Sequence, residues 1–367
     1  MSTYRKLVAF ATAVTLILLM MGAWVRLTDA GLGCPDWPGC YGHFTPTQAA
    51  DRIAAAVADQ GGEHGPVSMG KAWREMSHRY VAKFVGLLAI TIAAVAWLRR
   101  RALAQSPWPA TALVFVVVLQ GLFGMWTVTL QLMPIIVTGH LIGGMIVFST
   151  FVWLLQRQAP ARRYDDAAAV AALRGPALAA LALVGAQIFL GGWTSTNYAA
   201  LACQDLPTCH GRWLPQMAFD EGFRLVRALG LTPEGELLPL EALTAIHWTH
   251  RVGALFVTLG VGWLALRALR TGERRLGFAI AGALALQVAL GISNVRFGLP
   301  LPVAVAHNGG AALLLSLIVV LHSRARAARL APAARSASAA EPGAAADRAV
   351  GEAASGWIAP GRGARAS

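Results

Sequence analysis

Charge is scarce in this sequence. Charged residues make up 13% of its 367 residues, and hydrophobic residues make up 56%. Soluble globular proteins contain about 25% charged residues. With a mean hydropathy of +0.55, this composition excludes an ordinary soluble enzyme.

Cysteine and acidic residues are scarce as well. Four cysteines are too few for a disulfide-dense scaffold. Asp and Glu number 18 against 31 Lys and Arg, so the net charge is +13. Most Lys and Arg lie in short clusters beside apolar runs, which is the pattern of cytoplasmic loops in membrane proteins. The basic charge therefore does not imply nucleic acid as a partner.

Long apolar runs are abundant. A helix needs about 20 apolar residues to cross the hydrocarbon core of a lipid bilayer, and eight stretches qualify. They lie near residues 7–27, 79–98, 109–130, 135–156, 176–195, 246–268, 276–295 and 303–322. No small-residue cleavage site follows the first run, so we expect a retained span there. The pattern predicts an all-α integral membrane protein with eight transmembrane helices.

The basic clusters predict the orientation of these helices. They flank alternate loops, at Arg5 and Lys6, at 99–101, at Arg157, Arg162 and Arg163, at Arg267, Arg270, Arg274 and Arg275, and at Arg324 and Arg326. Positively charged loops stay in the cytoplasm. We therefore expect both termini in the cytoplasm and the long loops at 28–77 and 196–245 on the outer face. Residues 323–367 are mostly small or polar, which predicts a disordered cytoplasmic tail.

The sequence also contains an internal duplication. Motifs recur at offsets of 167 to 172 residues: Gly22-Ala-Trp24 and Gly191-Gly-Trp193, Cys34-x5-Cys40 and Cys203-x5-Cys209, His78-Arg79 and His250-Arg251, Leu119-Gln120-x3-Gly124 and Leu286-Gln287-x3-Gly291, and His140-x2-Gly143 and His307-x2-Gly310. Each repeat has four spans, so both enter the membrane in the same sense. We predict two four-helix repeats in parallel orientation, over residues 1–160 and 161–322, and the inverted-repeat transporter architecture is disfavoured.

Four of the nine histidines occupy repeat-equivalent positions, namely His78, His140, His250 and His307. Each lies near the outer start of an even-numbered span. Ionisable residues in membrane segments usually mark functional sites, and imidazole is a common axial ligand of haem iron. We expect the two histidines of each half to clamp a porphyrin, with helix packing or a proton path as the alternatives. The histidines without this symmetry are expected in loops or at a terminus: His43, His64, His210 and His322.

Glycines beside two of these histidines are expected to let a flat macrocycle approach the backbone, with helix packing as the alternative. They are Gly139, Gly143, Gly144, Gly309 and Gly310.

The two repeats differ at one position that bears on function. Glu75 lies three residues before His78, on the same face if the helix includes both. Its counterpart at an offset of 172 is His247. Glu75 is therefore the best single candidate for a catalytic residue. Its position places the catalytic site in the first half. The alternative is an ion pair with Arg74 or Arg79 at the membrane surface.

The cysteine pairs have a spacing, Cys-x5-Cys, that fits neither zinc ligands nor the Cys-x-x-Cys redox motif. On an oxidising outer face, the pairs Cys34–Cys40 and Cys203–Cys209 can each close a small loop as a disulfide and stiffen the mouth above the histidines. A structural and a redox role both stay open.

Taken together, these motifs resemble the haem A synthase family, called CtaA in bacteria and Cox15 in mitochondria. The resemblance rests on the run Gly22 to Gly42, on Glu75-Met-x-His78-Arg79, on Gly139-His140, on His250-Arg251 and on Ala306-His307-Asn308, and it covers about residues 5 to 322. It implies an enzyme of the bacterial inner membrane that oxidises the C8 methyl of haem O to a formyl group, through successive hydroxylations, and so makes haem A for terminal oxidases.

The resemblance also implies roles for the site residues. His250 and His307 match the axial ligands of a resident haem b, and His78 and His140 match the positions of the substrate haem. Glu75 matches the acidic residue needed for catalysis. His247 is a rival to His250, but only His250 has the following arginine seen at His78-Arg79.

The resemblance further implies haem O synthase and the oxidase assembly machinery as partners, along with an electron donor that the sequence does not identify. Two other functions fit much of the pattern. One is a di-haem electron-transfer protein of cytochrome b type, although its ligands would usually span both leaflets, and the other is a porphyrin carrier.

Overall fold

A computed structural model describes residues 2–62, 65–160, 162 and 164–330. In this part of the chain, eight helices are long and apolar enough to cross a membrane. We number them in chain order: α1 Thr3–Leu27, α2 Met69–Leu98, α3 Trp108–Thr129, α4 Pro134–Arg157, α5 Arg174–Thr196, α6 Leu240–Arg270, α7 Arg274–Arg296 and α8 Leu301–Leu330. The predicted all-α class with eight membrane helices is confirmed.

Local sequence explains where several helices begin. The Ser2 hydroxyl accepts a hydrogen bond from the Arg5 amide at 3.2 Å, and the Ser68 hydroxyl accepts one from the Lys71 amide at 3.2 Å. Each bond satisfies an N–H that the first turn leaves free. Pro134 occupies the first turn of α4, where its missing N–H costs nothing.

Two helices begin earlier than the apolar pattern predicted. Helix α2 begins at Met69 rather than at 79, and α6 begins at Leu240 rather than at 246. Charged and polar residues in the first turns of α2 and α6 interrupt the apolar runs, so the apolar pattern did not include these turns. These residues are nevertheless helical. Helix α2 therefore includes both Glu75 and His78, which is the condition for the two residues to share a face.

The last helix extends into the segment predicted as a tail. Helix α8 continues through Ser323 and ends at Leu330, because Ala, Arg and Leu are good helix formers. The tail prediction for residues 331–367 lies outside the described residues.

Within each half the helices pack as an antiparallel bundle. In the first half, α1 and α3 both pack against α2 and α4, and in the second half α6 packs against α5 and α7. Buried apolar side chains of α4 to α8 form one continuous cluster. Large apolar side chains such as Leu87, Phe115 and Phe256 are exposed along the long helices, as expected of surfaces that face lipid.

The halves meet at α4 with α5 and at α1 with α8. The hydroxyls of Thr138 and Thr196 lie 3.2 Å apart across the first contact. In the second, an added Cβ at Gly309 would lie 3.2 Å from the sulfur of Met20. Both contacts use small residues, which let membrane helices approach closely.

Repeat-equivalent residues touch each other where α1 and α5 end. Arg26 donates to the carbonyl of Ser195 at 2.6 Å, and the Tyr198 hydroxyl donates to the Asp29 carboxylate at 2.7 Å. Both pairs are 169 residues apart, which is the offset of the duplication. Such contacts are expected of two repeats related by a two-fold axis, so they support the predicted arrangement, which stays a prediction.

Candidate site: two histidine pairs and two disulfide loops

The four predicted ligand histidines share one environment, in which each imidazole rests against a glycine of an odd-numbered helix. The distance from an added Cβ to the imidazole Cε1 would be 3.1 Å for Gly22 and His78, 3.5 Å for Gly124 and His140, 3.1 Å for Gly191 and His250, and 3.2 Å for Gly291 and His307. Each glycine therefore leaves the space that one ring occupies.

The histidines form one pair in each half. His78 on α2 and His140 on α4 lie against glycines of α1 and α3, and His250 on α6 and His307 on α8 lie against glycines of α5 and α7. All four side chains are partly buried. The Nδ1 atoms of His78, His140 and His307 have no hydrogen-bond partner among the described residues.

Paired imidazoles on facing helices, with ring nitrogens that the protein leaves unused, fit a haem iron with two axial ligands. No group of three or more His, Cys, Asp or Glu side chains that could hold a metal ion occurs in the described ranges.

Three of the four histidines also have a glutamine close by. A Cβ at Gly143, Gly253 or Gly310, each three residues after a histidine, would overlap the side chain of Gln120, Gln187 or Gln287 respectively. Nε2 of Gln187 lies 3.0 Å from Nδ1 of His250 and donates to the His250 carbonyl at 2.9 Å. His78 is the exception. In the first half, Leu18 stands at the position of Gln187 and Val81 stands at the position of Gly253.

The glycines expected to admit a macrocycle are filled by protein side chains instead. Gly143 and Gly310 face the glutamines just described. Gly139 faces Phe123, Gly144 faces Leu19 and Gly309 faces Met20. That expectation was wrong for these five residues, because neighbouring helices occupy the space their missing side chains leave. The helix-packing alternative applies to them.

Both cysteine pairs form disulfides. The Cα atoms are 4.8 Å apart for Cys34–Cys40 and 4.9 Å apart for Cys203–Cys209, and all four cysteines are buried. The loops lie at the end of the bundle where the histidine-bearing helices begin, and we call this the cysteine-loop end.

Arg79 joins the first loop to α2. Its guanidinium donates to the carbonyls of Asp36 at 2.7 Å, Gly39 at 2.6 Å and Cys34 at 3.3 Å. It also forms an ion pair with Glu75 at 2.5 Å. Three loop carbonyls and one carboxylate thus meet on a single side chain, which fixes the loop over the first histidine pair.

Glu75 is buried, with 4% of its surface exposed. One carboxylate oxygen pairs with Arg79, and the other accepts a hydrogen bond from the Cys34 amide at 2.9 Å. The Arg79 ion pair predicted as the alternative is therefore present, but in the interior rather than at the surface. Glu75 therefore has a structural contact with the loop and lies three residues before His78 on the same helix.

Arg251 repeats this arrangement in the second half. It donates to the carbonyls of Asp205 at 2.8 Å, Thr208 at 2.9 Å and Cys203 at 2.5 Å, and to Nε2 of His247 at 3.1 Å. Nδ1 of His247 lies 2.9 Å from the Ala199 carbonyl. Both ring nitrogens of His247 therefore have partners within the protein.

An aspartate shapes each loop from within. Asp36 accepts from the amides of Tyr41 at 2.5 Å and Gly42 at 2.8 Å. Asp205 accepts from the amides of His210 and Gly211 and from the hydroxyl of Thr208. The Thr208 hydroxyl, and then the Gly211 and His210 amides, hold the pKa of Asp205 below its ordinary value. Asp205 therefore stays charged and keeps the loop closed over a wide pH range.

Each half also has an arginine above a tryptophan. The Arg74 guanidinium lies 5.7 Å from the ring centre of Trp24, and that of Arg227 lies 5.9 Å from the ring centre of Trp193. The tryptophans are repeat-equivalent, but Arg74 comes from α2 and Arg227 from the long loop before α6. Arg227 is buried and donates to Asn197. Sequence comparison of the halves missed this pair because the arginines are not repeat-equivalent.

The other histidines have local contacts. His210 lies 2.7 Å from the Ala202 carbonyl, and His322 lies 3.3 Å from the Arg174 carbonyl. The amide of His43 donates to Cys40 at 3.0 Å. His64 lies outside the described residues.

The sequence matches the family model COX15-CtaA, cytochrome oxidase assembly protein, over residues 5–319. It is 42% identical over 311 residues to a Shewanella oneidensis protein named heme A synthase, covering 84% of this chain and 92% of the relative. It is 27% identical over 321 residues to a heme A synthase of Allorhizobium ampelinum, covering 82% and 85%. It is 28% identical over 254 residues to one of Halalkalibacterium halodurans, covering 68% and 78%.

Proposed function

Because this chain belongs to the COX15-CtaA family of cytochrome oxidase assembly proteins, we propose that it works as a haem A synthase, converting the C8 methyl of haem O to a formyl group. The observation that carries the proposal is the pair of half-buried imidazoles, each seated against a glycine, in both halves of the molecule. Glu75 stands three residues before His78 in the first half, where the second half has His247 three residues before His250.

We assign the two pairs different porphyrins. His250 and His307 hold a resident haem b, and His78 and His140 hold the substrate haem O. The asymmetry at Glu75 and His247 supports this assignment, because only the first half has a carboxylate three residues before its ligand. When bound, the haem b supplies redox chemistry that amino acid side chains lack.

The chain's own residues position the substrate and keep water out. Arg79 and the buried Cys34–Cys40 disulfide close the cysteine-loop end over the first pair. Glu75 is held by Arg79 and the Cys34 amide, so its carboxylate has a fixed place one helical turn from His78. A carboxylate fixed in this way can take up or release a proton as the methyl group is oxidised.

Positive charge at the same end suits the carboxylates of a porphyrin. Haem carries two propionates, and guanidinium groups bind carboxylates strongly. Arg74 above Trp24 and Arg227 above Trp193 supply one such group to each half.

The chain is a multi-pass membrane protein. We place it in the bacterial inner membrane, with both termini in the cytoplasm and the cysteine loops on the outer face, because the basic clusters flank the opposite end. Haem O synthase and the oxidase assembly machinery are the proposed partners for delivery of substrate and removal of product, together with an electron donor.

The test is to express the chain in membranes with a haem O synthase and to identify the extracted haems by liquid chromatography and mass spectrometry. Haem A or its hydroxymethyl precursor is expected only when this chain is present. Recovery of haem b and unaltered haem O alone, with an electron donor supplied, would contradict the proposal and favour electron transfer or porphyrin carriage.

The glycine cradles give a second test. Replacing Gly191 with valine is expected to displace His250 and lower the resident haem b content about 5- to 150-fold, since overpacking costs about 1–3 kcal/mol. Gly22→Val is expected to spare haem b and weaken haem O binding instead. Haem per protein and the low-spin absorption spectrum are the measurements.

Gly185→Val is the matched control. Gly185 lies on the same helix as Gly191, but no atom lies within 4 Å of an added Cβ there. Equal haem loss in Gly185→Val and Gly191→Val would show that α5 does not tolerate valine, and the cradle would then have no specific role.

A further inference from the structure

A cavity of about 520 Å³ lies at the end of the bundle opposite the cysteine loops. Its walls come from the connection between α4 and α5, the turn between α6 and α7, the first turns of α7, and α8. The lining residues are Arg162, Gly272, Glu273, Arg274, Arg275, Leu276, Ala279 and Arg324. None of them belongs to the histidine or cysteine site.

A single buried carboxylate organises this cavity. Glu273 is 4% exposed and pairs with Arg162 at 3.3 Å and with Arg324 at 2.6 Å. It thereby draws together arginines from two segments that are far apart in sequence. Glu273 has no counterpart in the first half, where the equivalent residues, near 104–106, are uncharged.

The cavity keeps an excess of positive charge. Arg274 and Arg275 are exposed, and neither has a carboxylate partner among the described residues. Four arginines against one glutamate leave a net charge of +3 on the lining. Helix α7, which is 23 residues long, begins at Arg274, so its free N–H groups and the positive end of its dipole also point toward this cavity.

One wall of the same cavity is apolar. Leu276 and Ala279 line it, and Phe278 beside them is 62% exposed on a helix that is apolar enough to cross the membrane. A ligand with an anionic head and an apolar body therefore fits both walls, whereas a small free anion would use only the arginines.

We propose that this cavity binds the phosphate headgroup of an anionic phospholipid. Guanidinium groups bind phosphate through paired hydrogen bonds, and basic pockets between membrane helices on the cytoplasmic side recognise anionic lipid headgroups. Inorganic phosphate shares the headgroup chemistry, but the apolar wall and the position at the ends of membrane helices favour the lipid.

Native mass spectrometry of the purified full chain tests the proposal. The probes are phosphatidylglycerol, phosphatidylcholine and inorganic phosphate. The wild-type chain is expected to keep phosphatidylglycerol in preference to phosphatidylcholine. Arg274→Gln/Arg275→Gln is expected to lower phosphatidylglycerol binding about tenfold or more, because each basic residue near a membrane surface contributes about a factor of five.

The control is Arg100→Gln/Arg101→Gln, which removes the same charge from an exposed cluster at the same end of the bundle. This variant is expected to bind phosphatidylglycerol as the wild-type chain does. An equal loss of phosphatidylglycerol binding in both variants would show that the lipid responds to the overall surface charge. That result would overturn the proposal. Displacement of the lipid by millimolar inorganic phosphate would overturn it in favour of a free anion. Melting temperatures of the variants check that each is folded.

Discussion

Replacing His307 with alanine is expected to abolish the low-spin haem b spectrum of the purified protein. A low-spin haem needs two strong axial ligands, and alanine supplies none. The glycine opposite, Gly291, adds no side chain that could take over. We expect bound haem b to fall to about a tenth of the wild-type content or less, measured by the pyridine haemochrome assay and by optical spectra.

Two histidine variants serve as controls for this prediction. His247→Ala is expected to keep the low-spin spectrum, because its ring nitrogens contact Arg251 and the Ala199 carbonyl rather than a porphyrin. His140→Ala is expected to keep haem b and lose haem O binding. An intact spectrum in His307→Ala, or its loss in His247→Ala, would refute the ligand assignment.

Replacing Glu75 with glutamine is expected to stop formyl formation while haem b stays bound. Loss of a group that transfers protons lowers turnover about 10²- to 10⁴-fold. The haem A and hydroxymethyl products of membranes that also contain haem O synthase are the measurement. Haem b content in the same samples reports the second half, which Glu75 does not touch.

The ion pair with Arg79 makes a structural control necessary. Removing one partner of a buried pair costs about 3–5 kcal/mol, so Glu75→Gln is expected to loosen the first cysteine loop to some extent. Glu75→His is the matched variant, because His247 occupies this position in the second half and accepts a hydrogen bond from Arg251 as a neutral ring. It is expected to restore the melting temperature without restoring a carboxylate.

The outcomes separate chemistry from structure. Normal turnover by Glu75→Gln would disprove a catalytic role. Turnover by Glu75→His but not by Glu75→Gln would show that the position needs a group that can exchange protons, not a negative charge. An inactive but stable Glu75→His protein with bound haem b supports the carboxylate.

Much of the fold was predictable because lipid imposes a simple rule on sequence. The eight apolar runs identified the eight helices, and the bounds differ mainly where charged residues begin α2 and α6. In α2, Glu75 is buried and paired with Arg79, whereas Glu241 in the first turn of α6 is exposed. Hydropathy measures only transfer into lipid, so it could not register a helical turn buried in protein.

The site was predictable only where the two halves could be compared. Repeat symmetry selected the four histidines and Glu75 as candidates, and their roles stay predictions. The chosen glycines were wrong, because a glycine's function depends on which helix lies opposite it, and sequence spacing does not supply that. Arg227 was missed because the arginine above the tryptophan comes from the long loop in the second half, whereas in the first half it is Arg74 of α2.

The contacts of Arg26 with Ser195 and of Asp29 with Tyr198 bear on how such a chain can arise. Only residues at a two-fold axis can touch their own counterparts, so this is the contact that two identical four-helix chains would make in a homodimer. In a homodimer both sites must carry the same residues. Fusion of the two copies removes that constraint, so one half can keep a carboxylate at Glu75 where the other has His247.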